Sequence, residues 1–511
     1  MALLSYTILF LIPLITTFLA RTFFSKTRPQ TRHLPPGPLA LPIIGHMHLF
    51  SSSPHHVLCK LAQRYGPIIS LRLGSVPHVV VSSPEAAREF LRTHELAFSS
   101  RPQSFTNHYL GYGGHGFAFS PYGPYWKFMR KLCMSELLSG RSLGNLLPIR
   151  REEMHTFLLL LSRASDGVKA VNVSEELKLM VGNVISRMSM SRRCYGTEAE
   201  GVEIGGLVDE VSKLLMALNV GDFIRLFRDM DLQGLGKRMK VTHKRFDEIM
   251  EEIVREHEEK KEKDGVKDLM DILLEISEDE SAEMKLKKEH IKAFIRDIFV
   301  AGTATTALGM EWTLSELIKN PRIIKRARDE IDSVVGKNRV VEESDIPNLP
   351  YIQAIVKETL RLHPTDSIIL RESIEDCKIN GYDIPAKTGL FINIWAIGRD
   401  PNYWENPLEF LPERFIDDNG RAQIDLRGQH YHFLPFGSGR RGCPGKTLAV
   451  QLIVTTIAAM IQCFKLKIDG NDEEEGGPID MTVAPGLTLY RAQPLVCIPV
   501  ARLDPLPLVA S

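Results

Sequence analysis

Phe436-Gly-Ser-Gly-Arg-Arg-Gly-Cys-Pro-Gly445, followed by a long apolar run from Lys446 to about Phe464, is the stretch that decides how this chain is read. Glycines at 437, 439, 442 and 445 let the backbone turn tightly beneath a flat ligand, and Cys443 lies just before the N-terminus of the helix that the apolar run predicts. The free N–H groups and the dipole at a helix start favour a thiolate over a thiol. A phosphate-binding loop ending in Gly445, Lys446 and Thr447 needs glycine where Arg440 stands, so that reading fails. On these residues alone, a buried structural cysteine remains the rival to an anionic sulfur ligand.

Three other segments carry donors or acids at helical spacing. Lys357-Glu-Thr-Leu-Arg361 puts Glu358 and Arg361 on one face, which by itself describes a surface ion pair worth a few tenths of a kcal/mol. Trp126-Lys-Phe-Met-Arg130 aligns an indole N–H with a guanidinium. A helix predicted from about Lys285 to Lys319 contains Ile298-Phe-Val-Ala-Gly-Thr-Ala-Thr-Thr306, and Gly302 inside it costs about 1 kcal/mol against alanine, so a reason for it is sought.

The spacing F-x-x-G-x-R-x-C-x-G from Phe436 to Gly445 matches the haem-binding signature of the cytochromes P450 in every fixed position, and the chain resembles that family from about Leu34 to its C-terminus. The resemblance implies a mainly α fold, the cytochrome P450 fold, with a small β region, and haem b (iron protoporphyrin IX) held through iron by the Cys443 thiolate. Phe436 and Gly445 would line the cofactor, with Trp126, Arg130, Arg371 and Arg441 meeting its propionates, which are anions that want such donors. Pro412-Glu-Arg-Phe415 supplies Arg414, which in the family closes a buried Glu358–Arg361–Arg414 network. Gly302 would then admit the flat cofactor and O2 to the backbone through a local opening of the helix. Thr305 matches the family's proton-relaying hydroxyl.

Two departures stand out. The family's acid before that threonine is Ala304 here, and a methyl group neither donates nor accepts a proton. Water could replace the carboxylate, a substrate hydroxyl could help, or oxygen activation could be partly uncoupled. Relatives commonly carry proline at the places of Thr365 and Ser367, so Leu362-His-Pro-Thr-Asp-Ser-Ile-Ile-Leu-Arg371 loses stiffness and gains polar groups. By resemblance, Phe119, Leu214, Ala301, Thr365, Ser367, Ile369 and Leu487 face the substrate.

Working outward, the 511 residues are 44% hydrophobic and 25% charged, and 63 basic against 63 acidic residues give no basic excess to suggest nucleic acid. Seven cysteines without a C-x-x-C pair fit a reducing compartment. Ala2 to Ala20 carries no charge and is long enough at ~1.5 Å per residue to cross a bilayer, and the basic residues that follow, with no acid before Glu85, place the rest in the cytosol. A cleaved signal is the rival, but such signals carry their positive charge before the apolar run. The expected organisation is a transmembrane anchor over 1–20, a basic and Pro-rich hinge over 21–38 and a catalytic domain over 39–511. Pro67 to Ser82 predicts a hairpin turning at Gly-Ser-Val-Pro, Arg245 to Lys263 a solvated helix, and 471–477 a surface turn.

Tyr125 to Gly140, Tyr382 to Lys387 and Arg427 to Phe433 resemble plant cytochromes P450 of the endoplasmic reticulum membrane that oxidise flavonoids, isoflavonoids and pterocarpans, and more distantly triterpenes. That implies monooxygenation of a small hydrophobic substrate with O2 and with electrons from NADPH through NADPH-cytochrome P450 reductase. A triterpenoid oxidase is one alternative. An oxygen-independent haem-thiolate isomerase or dehydratase, supported only by Ala304, is another.

Overall fold

The structure is a computed structural model that describes residues 12–14, 16–17, 32–50, 53–196, 199–228, 230–259, 267–417, 423–468 and 479–503. Most of the expected anchor, the hinge up to residue 31 and the 471–477 turn lie outside the described residues. The body is helix-rich. Five helices position the site: α1 (Pro124–Leu132), α2 (Val173–Met190), α3 (Lys288–Lys319), α4 (Pro350–Leu362) and α5 (Lys446–Cys463).

Their ends follow from local chemistry. Proline opens α1 and α4, where its missing N–H costs nothing. The Asn172 side chain accepts from Glu175 N at 3.2 Å to cap α2. Asn320-Pro321 stops α3, which begins at Lys288 rather than Lys285. Helix α5 is apolar around its whole circumference because it is surrounded by protein. It is the one described helix long and apolar enough to cross a membrane, and 72% of it is buried. Its Ile453, Ile457 and Ile461 join Phe294, Met310 and Leu314 of α3 and Val181 and Val184 of α2 in one continuous core.

Among the described residues, β1 (Ile68–Leu73), β2 (Val76–Val81), β4 (Ile368–Glu372) and β7 (Gly389–Asn393) form a sheet in the order β1-β2-β7-β4. Strands β3 (Val171–Asn172), β8 (Phe464–Lys467) and β9 (Val496–Ala501) form another in the order β3-β9-β8, and β5 (Cys377–Ile379) pairs with β6 (Tyr382–Ile384). The hairpin turns at Gly74-Ser75 alone, with Pro77 inside β2 opposite Arg72. Proline is tolerated there because parallel pairing of β2 with β7 begins only at His78. The predicted Arg245 helix is part of a helix from Leu235 to Glu259 that buries Phe246, Met250, Ile253 and Val254, so only its other face is solvated. Residues 260–263 of that stretch lie outside the described residues. The proline-rich segment is not helix or strand; it lies along β1, with Pro36 O accepting from Ser70 N at 2.8 Å.

Candidate functional site

The cysteine loop is held in shape by its glycines and by one distant acid. Gly437 and Gly439 adopt φ of 69° and 67°, a region that side chains disfavour. A Cβ on Gly439 would fall 2.3 Å from Glu95 Oε1. Glu95 in turn accepts from Arg440 N at 2.6 Å and pairs with Arg440 Nε at 3.3 Å, which staples the loop to the segment after β2. Cys443 N donates to Phe436 O at 2.9 Å. A Cβ on Gly445 would meet no protein atom, so the loop opens onto free space there.

Cys443 keeps exposed surface. Even so, burial pushes its thiol up, outweighing the Gly445 N–H and the charges of Arg130 and Lys446, which pull the other way. Surface that is accessible but poorly solvated belongs to the wall of an internal cavity. The Gly445 N–H at the helix start favours the thiolate as expected, burial opposes it, and a bound cation would add to the side that holds the sulfur deprotonated.

Four guanidiniums converge beside this cavity. Arg441 donates to Ser99 O at 2.7 Å and Ser120 O at 2.6 Å, and stacks 4.2 Å over the Trp126 ring, but its buried Nη1 has no partner. Arg130 donates to Gly442 O at 2.8 Å, and Arg371 to Arg441 O at 3.1 Å. Arg101 joins them with a buried, unpartnered Nε. None of the four forms an ion pair among the described residues. Burial, then the charges of Arg101 and Arg130, lowers Arg441 to about 9, and burial with Arg101 and Arg441 drives Arg371 well down. Like charges crowded with orphaned donors are costly unless an anion joins them. A dicarboxylate such as haem, with an electropositive iron above Cys443, fits this donor set.

In α4, Arg361 donates to Glu358 through Nε at 2.6 Å and Nη2 at 2.7 Å, and to Gly398 O, Pro407 O and Glu409 O. Arg414 Nε and Leu411 N reach Glu358 Oε1 at 3.1 and 2.8 Å. The surface reading of Glu358 and Arg361 gives way to the buried network that the resemblance implied.

On α3, Ala301 is exposed and Thr305 half-buried, while the neighbouring turns are largely buried. Thr305 Oγ1 donates to Ala301 O at 2.6 Å. Gly302 also has a packing role. A Cβ there would lie 3.0 Å from Ile185 Cδ1, so the missing side chain lets α2 and α3 pack closely, and α3 continues as helix from Lys288 to Lys319 without an opening. Ala304 is half-buried and presents only its methyl.

The residues expected to face substrate divide. Ala301 and half-buried Thr365, Leu487 and Ile369 keep surface, and the Arg101 guanidinium lies 5.6 Å from the Phe119 ring. Leu214 is 1% exposed and packed among Leu110, Val211, Leu235 and Met239. Ser367 has no exposed surface, and its N–H and hydroxyl both go to Leu487 O, at 2.9 and 2.7 Å. Hydrogen bonds there replace the stiffness of the absent proline, leaving Leu214 and Ser367 no surface for a ligand. Arg101, Glu95 and Asp366 were missed as individual site residues, because their roles depend on partners far away in sequence and no local spacing announces them.

The cytochrome P450 family model matches residues 35–489. The chain is 50% identical to 3,9-dihydroxypterocarpan 6A-monooxygenase from Glycine max over 94% of its length and 96% of that protein's. Identity is 46% to β-amyrin 24-hydroxylase from Glycine max, covering 98% of each chain, and 41% to 2-hydroxyisoflavanone synthase from Glycyrrhiza uralensis, covering 98% and 100%. A solved zebrafish cytochrome P450 with abiraterone superimposes with a TM-score of 0.73 at 26% identity, covering 88% of this chain and all of that one. With a helix-rich body, a haem-compatible cavity and relatives matched over nearly the whole length, the chain belongs to the cytochrome P450 family of haem-thiolate monooxygenases.

Proposed function

We propose that this enzyme hydroxylates or oxidatively rearranges a hydrophobic plant polyphenol of the flavonoid, isoflavonoid or pterocarpan kind, with Cys443 as the iron ligand. The observation that carries the site assignment is the convergence of Arg101, Arg130, Arg371 and Arg441 without a carboxylate ion-pair partner among the described residues, beside an exposed but desolvated cysteine. Bound haem supplies the oxygen-activating redox chemistry. Arg441, with Trp126 beneath it, Arg130 and Arg371 hold the propionates, and Phe436 and Gly445 line the cofactor's edge. Glu358, Arg361 and Arg414 act structurally by fixing the backbone below the loop.

Thr305 handles protons in this reading. Its hydroxyl hydrogen is directed to Ala301 O, so it must rotate away before it donates into the cavity. Ala304 leaves it without a neighbouring acid, so ordered water carries protons to it, at reduced efficiency.

Electrons come from NADPH through NADPH-cytochrome P450 reductase. The apolar, uncharged 1–20 segment anchors the chain in the endoplasmic reticulum membrane, followed by a hinge over 21–38 and a cytosolic catalytic domain over 39–511. Exposed Leu39 (96%), Leu226 (75%), Met230 (57%) and Leu232 (57%) support contact with an apolar phase. The test is turnover in microsomes containing the reductase, offered 3,9-dihydroxypterocarpan, flavanones and β-amyrin. Product formed with consumption of O2 and NADPH from a polyphenol supports the reading. Oxidation of β-amyrin alone, or turnover without O2, overturns it.

A further inference from the structure

Asp366 is a carboxylate that the fold uses through only one of its two oxygens. It is exposed between buried Pro364 and fully buried Ser367. Its loop is sewn to the 487–489 segment: Leu489 N donates to Thr365 O at 2.8 Å, and Ser367 N and Oγ donate to Leu487 O at 2.9 and 2.7 Å. Thr488 Oγ1 then donates to Asp366 Oδ1 at 2.8 Å. Among the described residues the other oxygen, Oδ2, has no hydrogen-bond or ion-pair partner, and Arg101, whose charge acts on Asp366, forms no ion pair with it. The carboxyl is thus oriented by its backbone and by one hydroxyl, with one oxygen left free.

Asp366 is close enough to Cys443 for its charge to act on that thiol. Asp366 has accessible surface, but burial still disfavours its charged form, the same combination seen at Cys443. Its charge acts on the Cys443 thiol and on the hydroxyl of Tyr490. Thr365 and Leu487, which flank it, keep surface of their own. A desolvated carboxylate oxygen is expensive to leave without a donor, even with the Arg101 charge acting on it.

We propose that Asp366 is a specificity-determining residue whose Oδ2 accepts a hydrogen bond from a hydroxyl on an otherwise apolar substrate and so orients that substrate over the iron. This deepens the proposed function and rests on its haem assignment. A dihydroxypterocarpan, the compound in one relative's name, offers such hydroxyls. Hydroxylated skeletons are therefore selected over their deoxy counterparts, because the deoxy compound leaves a buried acceptor unpaired.

The test uses full-length haem-loaded enzyme and 4-phenylimidazole, an iron ligand that owes nothing to any natural substrate class, alongside its three monohydroxyphenyl isomers. Affinity is read from the Soret shift. At least one hydroxylated isomer should bind wild type roughly tenfold tighter than the parent, the range of a hydrogen bond to a charged group. Asp366→Ala should bring that preference below about threefold, while Asp366→Asn, which still presents an acceptor oxygen, keeps part of it. A carbon monoxide spectrum of each variant checks that the haem site is intact. Equal binding of parent and all isomers by wild type, or a preference undiminished in Asp366→Ala, overturns the role of Asp366. Failure of wild type to oxidise any polyphenol overturns the substrate class and leaves Asp366 standing, and the absence of any Soret shift overturns the haem assignment on which both rest.

Discussion

Arg361 closes two hydrogen bonds on Glu358, Nε to Oε2 at 2.6 Å and Nη2 to Oε1 at 2.7 Å, with neither side chain exposed at all. Arg361 also organises carbonyls at 398, 407 and 409, which lie 37 to 48 residues further along the chain. Removing one partner leaves the other charge buried and unpaired, a loss of about 3–5 kcal/mol. Glu358→Ala and Arg361→Ala should therefore fail to accumulate haem-loaded protein, measured as the carbon monoxide difference spectrum per unit of purified chain. Normal haem content in either variant would contradict a structural role for the pair.

Gly302 separates two explanations of a small residue in α3. If it is there to let α2 approach, Gly302→Ala destabilises the protein by crowding Ile185 despite the better helix propensity of alanine, and Ile185→Val restores the loss. Thermal unfolding of the two single variants and the double should show coupling of about 0.5–1 kcal/mol. Additive effects would return Gly302 to the cofactor side.

Ser367 stands where relatives commonly carry proline, but Ser367→Pro should not stabilise this chain. Proline removes both the N–H and the hydroxyl given to Leu487 O, each worth about 1 kcal/mol. Ser367→Ala removes only the hydroxyl and should lower the melting temperature by about half as much. A proline variant more stable than wild type would contradict the stitching of the two loops.

His78 gives the fold an acid-sensitive component. Burial lowers its pKa from 6.5 to about 4, opposed by a bond to Val76 O, and its ring fills the space over Gly389. The neutral ring is the folded form, so the unfolded chain binds more protons between pH 6.5 and 4. Stability is full above 6.5 and declines as pH falls toward 4, by up to about 3 kcal/mol. Replacing His78 with Phe should flatten the dependence of melting temperature on pH across that window. A variant as acid-sensitive as wild type there would assign the effect to other groups, buried His55 foremost.

Much of the site was legible because its pieces are local: the glycines and Cys443 lie within ten residues, and Glu358 and Arg361 are one helical turn apart. The depth of Glu358 was not legible from that spacing, since burial depends on carbonyls some forty to fifty residues away. Arg101 and Glu95 escaped for the same reason: one contributes an orphaned donor and the other a staple, and neither belongs to a pattern in its own segment. Gly302 poses a different difficulty. A glycine reports that something approaches closely, but the sequence does not say whether it is a cofactor or Ile185.

The most direct test of the central claim, that Cys443 holds a haem iron in a cavity closed by four guanidiniums, is the carbon monoxide difference spectrum of the reduced full-length protein and of Cys443→Ser. Wild type should give the long-wavelength Soret band that marks thiolate ligation, and Cys443→Ser should lose it while retaining the helical content of the folded protein. A thiolate band that survives in Cys443→Ser, or a wild type that binds haem without ever showing one, would contradict the account.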